Sequence, residues 1–160
     1  MQMETRPDAY EVRRLDDRDV DAILALCEGN RLFYRYHPPM ATRESILADM
    51  TALPPNKRME DKAHVGFFED GKLAAILDWI SGYPTKEIAW IGLFMVGAEE
   101  QGKGVGSEII RGLAESLKAV GYREIRLGVD KGNPQSFAFW QKNGFEVLHE
   151  DDFIVMRREI

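Results

Sequence analysis

The chain has 160 residues, 44% of them hydrophobic and 30% charged, with a net charge of -6. That is the length and balance of one domain, residues 1–160, able to bury a core without staples, and the acidic total argues against a nucleic-acid-binding surface. The one cysteine, Cys27, excludes an internal disulfide and points to a reducing, cytoplasmic setting, while no apolar run approaches the ~20 residues of a membrane span.

The opening "MQMETRPDAY" lacks the apolar stretch of a signal peptide. Tyr10–Leu15 alternates as a short strand. "DDRDVDAILALCEG" has an acidic start, an apolar stripe of Val20, Ile23, Leu24 and Cys27, and Gly29 at its end, which predicts a helix. "RLFYRYHPPM" is aromatic and basic and is broken by Pro38-Pro39. Thr42 then caps a helix through "TRESILADMTAL", stopped at Pro54-Pro55, and "NKRMEDK" reads as a polar linker.

The period then changes. "AHVGFFEDGKLAAILDWI" is two apolar runs joined by Asp70-Gly71, a strong hairpin signal, and "KEIAWIGLFMV" is a third strand. Ile109, Ile110, Leu113, Leu117 and Val120 follow helical spacing up to Gly121. "REIRLGVD" alternates as a strand, Asn133-Pro134 opens a helix, and "FEVLHE" and "DFIVMRRE" make a last strand pair. The expected fold class is α/β (α+β): a mixed, mostly antiparallel sheet of about seven strands flanked by about four helices.

"QGKGVGSEII" puts Gly102, Gly104 and Gly106 at the mouth of a helix, where each lowers helix propensity by about 1 kcal/mol relative to Ala. A helix N-terminus offers unpaired N–H groups and the positive end of the dipole, and glycine lets the backbone approach an anion closely. The phosphate-loop pattern is absent, and the dinucleotide fingerprint fails because Ser107 stands where its last glycine belongs. Lys103 is either a charge aimed at a phosphate or a solvated loop residue. The three histidines, His37, His64 and His149, and Cys27 show no metal-ligand spacing, so no metal is expected.

"FMVGAEEQGKGVGSEII" resembles the acyl-CoA-binding motif of the GNAT superfamily of N-acetyltransferases, with Gln101, Gly104 and Gly106 at its fixed positions. A second block of that family is matched in "NPQSFAFWQKNGF" by Asn133, Ser136, Phe139, Trp140, Gly144 and Phe145. The resemblance implies a GNAT-like acyltransferase fold and an acetyl-CoA-dependent N-acetyltransferase that moves an acetyl group to a primary amine within a ternary complex. It implies that Phe94, Met95 and Val96 run along the pantetheine. Gly102, Lys103, Gly104, Val105, Gly106 and Ser107 would cradle the pyrophosphate, with Gln101, Asn133 and Trp140 also at the cofactor. It further implies an oxyanion donor at the backbone N–H near Met95.

Both acid–base positions of the family depart from its pattern. Trp140 stands where many members carry a tyrosine acid, and an indole N–H gives up no proton; it can pack on the pantetheine or donate to sulfur. Trp90 stands where some members carry a carboxylate base, and Glu87 is expected as a solvated strand start. Asp78, a charge inside "AAILDWI", is either the base or an outward-facing residue near a strand end. Phe33, Tyr34, Tyr36 and His37 fall where the family builds its acceptor surface; they either line that pocket or cover the sheet. Trp79 and Trp90 are expected in the core and Cys27 as a packed thiol. The missing tyrosine leaves a second reading open, a non-catalytic acyl-CoA-binding or sensing module. The expected partner is a small-molecule or protein amine, with no nucleic acid or membrane. The final strand pair and the helix surfaces are compatible with a homodimer.

Overall fold

A computed structural model describes residues 10–160; the N-terminal stretch read for a signal peptide lies outside them apart from Tyr10. Seven strands among these residues form one sheet in the order β1-β2-β3-β4-β5-β7-β6. They are β1 (Glu11–Arg14), β2 (Lys62–Glu69), β3 (Lys72–Ser81), β4 (Ile88–Val96), β5 (Glu124–Val129), β6 (Glu146–Glu150) and β7 (Ile154–Glu159). Every neighbouring pair is antiparallel except β4 and β5.

Among the described residues five α-helices flank the sheet: α1 (Val20–Glu28), α2 (Arg31–Tyr36), α3 (Arg43–Thr51), α4 (Val105–Ala119) and α5 (Pro134–Lys142). The expectation of about four is short by α2. Six residues span less than two turns, too few to display a helical period, and Pro38 ends the element just beyond. The capping signals hold where the sequence is explicit. Thr42 and Ser45 form a reciprocal capping box at α3, and the Asn133 side chain accepts from the Ser136 N–H at the start of α5.

Each face of the sheet is buried by its own helices. On one face Ile109, Ile110, Leu113 and Leu117 of α4 pack with Trp140 of α5 against Leu77, Trp79, Ile91 and Leu127. On the other, Val20, Ile23, Leu26 and Cys27 of α1 and Ile46 of α3 cover Phe68, Ile76 and Met95. Double coverage explains why β3 reads as a continuous apolar run. It also overturns the outward-facing reading of Asp78, which is only 7% exposed beneath the second helix layer. The linker reading of "NKRMEDK" ends one residue early for a related reason: Lys62 is the buried first residue of β2, ion-paired with Asp78.

The feature that shapes the site is where β4 and β5 part. Their parallel register runs from Ile88↔Glu124 to Ile91↔Leu127 and stops, although β4 continues to Val96. Beyond Ile91 one edge of β4 therefore lacks a partner strand.

Candidate active site

That open edge forms one wall of a cleft of about 380 Å³. Phe94, Met95 and Val96 line it from β4, Gln101 through Ser107 (except Lys103) from the glycine loop and the first turn of α4, and Asn133, Phe139 and Trp140 from the cap and body of α5. The two sequence blocks that carried the family resemblance thus meet in one depression. Lys103 is exposed and outside the lining. Among the described residues, the cations that line the cleft are Arg31 and Lys142, which the sequence reading did not single out. Glu100 also lines the cleft, and the two cations outnumber it, so the described lining carries a net positive sign opposed to the acidic total.

The loop is built to meet an anion. Gly102 and Gly104 have φ of +80° and +81°, and a β-carbon at either would meet nothing within 4 Å. Their cost is backbone conformation, which only glycine adopts freely, and the space beside them is open. Among the described residues, none of the N–H groups from Gly102 to Ser107 has a backbone acceptor; the first to find one is Glu108, on the Gly104 carbonyl. These donors, at the positive end of a 15-residue helix, suit a pyrophosphate.

Bracing of the loop comes from a residue the sequence did not reveal. Asn30, 9% exposed between α1 and α2, donates to the Leu26 carbonyl at 2.9 Å and the Val96 carbonyl at 3.2 Å. Its oxygen accepts from Gln101 Nε2 at 2.7 Å, and that amide also donates to the Val96 carbonyl at 3.0 Å. Gln101 is therefore the tie between the end of β4 and the loop. Only its folded neighbours could have shown this, because Asn30 is 71 positions away.

The same bonds fix which way β4 directs its backbone. Gly97 N–H donates to the Ala74 carbonyl of β3 at 2.7 Å, while the Val96 carbonyl faces the two side-chain amides on the opposite side. Alternation along the strand then points the Met95 N–H at β3, where Met95 opposes Ile76. The N–H groups on the open edge are those of Phe94 and Val96. The donor expected near Met95 thus falls to a neighbour rather than to Met95 itself, whose side chain lies in the core under α1.

Trp140 is 7% exposed and belongs to an aromatic group, with ring centroids 5.8 Å from Phe94, 4.9 Å from Phe139 and 5.1 Å from Phe145. It forms part of the cleft wall. Of the four aromatic positions expected to meet an acceptor, three touch one another, with the Phe33 ring centroid 4.9 Å from Tyr34 and 5.3 Å from His37. Phe33 lines the cleft. Tyr34 turns to Cys27, and burial together with that partner pushes its hydroxyl well above the usual value. Burial likewise raises the Cys27 thiol. Tyr36 is half-buried, and His37 Nδ1 lies 2.9 Å from Asp130 at the end of β5. Glu87 is exposed just before β4, as expected. No group of three or more His, Cys, Asp or Glu among the described residues is arranged to hold a metal ion, and no helix among them is long and apolar enough to cross a membrane.

Comparison with known proteins agrees with this geometry. An uncharacterized N-acetyltransferase of Methanocaldococcus jannaschii is 32% identical over 76 residues, 48% of this chain and 34% of the relative, so the chain spans about a third of that protein's length. A crystal structure of an acetyltransferase from Thermus thermophilus superposes with a TM-score of 0.81 at 21% identity, covering 100% of both chains. PaiA N-acetyltransferase from Thermoplasma acidophilum, solved in complex with coenzyme A, gives 0.73 at 19% identity over 95% of this chain and 99% of that one. At these identities the two structures establish a shared fold. The model of the acetyltransferase (GNAT) family matches residues 24–145, which hold the open edge of β4, the glycine loop and α5, and the chain accordingly belongs to the acetyltransferase (GNAT) family of acyltransferases.

Proposed function

We propose that residues 1–160 form a single domain that transfers an acetyl group from acetyl-CoA to a primary amine, by direct attack within a ternary complex. The observation that carries this reading is the unpaired edge of β4, which runs straight into the glycine loop. The open-edge groups of Phe94 and Val96 are free to bond an extended amide chain as a missing strand would. Gly102 through Ser107 hold the pyrophosphate, and Arg31 and Lys142 add charge around it. Asn133 and Trp140 close the wall from α5.

Acetyl-CoA supplies an activated thioester carbonyl. Phe94 N–H, on the open edge nearer the parting of the strands, stabilises negative charge developing on that oxygen. Trp140 shapes the wall and keeps water out. It donates no proton, and a thiol with a pKa near ~8.5 leaves without an acid. The buried Cys27 thiol, turned away from the cleft toward Tyr34, offers no nucleophile for a covalent route.

The test is release of free thiol from acetyl-CoA across a panel of polyamines, amino acids, aminoglycosides and peptide amines. At least one amine should accelerate release well above the hydrolytic background. If acetyl-CoA binds tightly and no amine in a broad panel accelerates release, the chain is a binding module. Gly104→Glu and Gly106→Glu should each abolish CoA binding, by filling the cradle and adding like charge.

A further inference from the structure

The sheet face under α1 and α3 carries a second polar group, separate from the cleft. Lys62, His64 and Asp78 are buried there at 5%, 8% and 7% exposure. His64 and Asp78 are cross-strand partners, so their side chains leave the sheet next to each other. Lys62 Nζ donates to Asp78 Oδ2 at 2.8 Å and to the Ala52 carbonyl at 2.9 Å. Asp78 Oδ1 and both ring nitrogens of His64 are left without a hydrogen-bond partner among the described residues. Orphaned buried polar atoms are rare because each carries its full desolvation cost. Three of them on two adjacent side chains form a place that a further group completes.

The cover over this group is a bare stretch of backbone at Gly92. Asp78 opposes Leu93 while Trp79 opposes Ile91, so Gly92 bulges from β4 without a partner. Gly92 is exposed, and a β-carbon built on it would stand 3.7 Å from the Asp78 carboxyl carbon and 3.8 Å from both its oxygens. The bulge follows Ile91 directly, at the point where β4 leaves β5. Gly92 thus leaves no side chain over Asp78 where the open edge begins, and the Oδ1 atom beneath it is itself closed to solvent.

Resting on the acetyl-transfer reading above, we propose that Asp78 and His64 form the acceptor subsite: Asp78 Oδ1 binds the head of a primary alkylammonium entering over Gly92, and His64 takes its proton. Lys62 already occupies Oδ2, which leaves one oxygen for one cationic donor. An alkylamine, with a pKa near ~10 like that of lysine, arrives protonated and needs a base. Burial pulls the His64 ring below its ordinary value and Lys62 reinforces this, against the opposing pull of Asp78 and Asp49. The charged groups facing the ring are thus Asp78 on β3, Lys62 on β2 and Asp49 on α3, which itself feels His37 beyond α2.

The step balances. The first proton passes from the ammonium to His64, giving a neutral amine and an imidazolium beside Asp78. The amine nitrogen bonds to the acyl carbon, the carbon–sulfur bond breaks, and the second nitrogen proton goes to the departing sulfur. Products are an amide and a free thiol, and His64 returns its proton to solvent past Gly92.

Two measurements test this separately from the function itself. In the first, NMR follows the His64 imidazole signal, assigned by its loss in His64→Gln, as propylammonium is added to the protein. The signal should shift saturably, and Asp78→Asn or Gly92→Val should abolish the shift; no shift in the wild type overturns the subsite whether or not the protein transfers acetyl groups. In the second, the best acceptor of the amine panel is assayed across pH. His64→Gln should lower kcat by about 100-fold, within the range of general-base catalysis, erase the acid limb of kcat/KM and leave the KM for acetyl-CoA unchanged. Gly92→Val, which leaves the polar group intact, should raise the KM for the amine and not that for acetyl-CoA. A folded His64→Gln enzyme with the wild-type rate and pH profile overturns the base assignment. An inactive wild type whose His64 still shifts overturns the transfer reading and leaves an ammonium-binding site.

Discussion

Asn30 shows how much one buried side chain can organise. It joins α1, the end of β4 and the glycine loop through three hydrogen bonds. Asn30→Ala removes all three, and leaving buried partners unsatisfied costs about 1–3 kcal/mol for each group that water cannot reach. We expect a loss of about 2 kcal/mol in denaturant-measured stability, together with CoA affinity weakened several-fold as Gln101 keeps only its bond to the Val96 carbonyl. Unchanged affinity would mean the loop holds its shape alone. Nothing in "CEGNRL" announces this role, since asparagine before a short helix reads as an ordinary cap. His64 was equally silent. A histidine inside a strand acquires meaning only from its cross-strand partner, and register is a property of the folded sheet. By contrast Cys27, Trp79 and Asn133 sit where local pattern put them, because burial on a stripe and helix capping are decided within a few residues.

At the scale of elements, the sequence was most readable where a junction carries its own chemistry. Asp70-Gly71 turns β2 into β3, with φ of +51° and +78°, and Thr42 and Asn133 cap their helices. It failed at α2, whose six residues draw stability from tertiary contacts rather than from a periodic face. The start of α4 separates two glycine roles that look alike in sequence. Gly104 needs its left-handed φ and has free space, so Gly104→Ala should cost about 1 kcal/mol through backbone strain alone. At Gly106 a β-carbon would come within 3.0 Å and 3.2 Å of the Phe139 ring. Gly106→Ala should therefore displace Phe139, and with it Phe94 and Trp140, whose rings it touches. A near-ultraviolet circular dichroism change in Gly106→Ala but not in Gly104→Ala would confirm the distinction. Equal spectra would show that the ring absorbs the methyl group in place.

For the whole molecule, the sheet divides the protein into two chemically distinct sides that meet where β4 parts from β5. The cleft presents backbone donors and cations. The opposite face hides a lysine, a histidine and an aspartate under α1 and α3, at a cost that must show in how stability depends on pH. His64 has a folded-state pKa below its unfolded value near 6.5. Below that value the unfolded chain binds a proton that the folded chain resists, so this contribution is fully present above about pH 6.5 and is lost as pH falls through the folded value. Asp49 works in the opposite sense, because burial raises its pKa above the usual 3.8 and its contribution fades as pH rises. The two are separated by difference. Chemical denaturation of the wild type and His64→Gln between pH 4.5 and pH 8 should give wild-type stability that falls relative to the variant toward acid, while Asp49, present in both, largely cancels. A difference that does not change with pH would mean that His64 gains a compensating partner on protonation. Asp78 Oδ1, the orphaned oxygen on the strand opposite, is the group placed to provide one, and Asp78→Asn in the His64 background would then restore the acid-side loss.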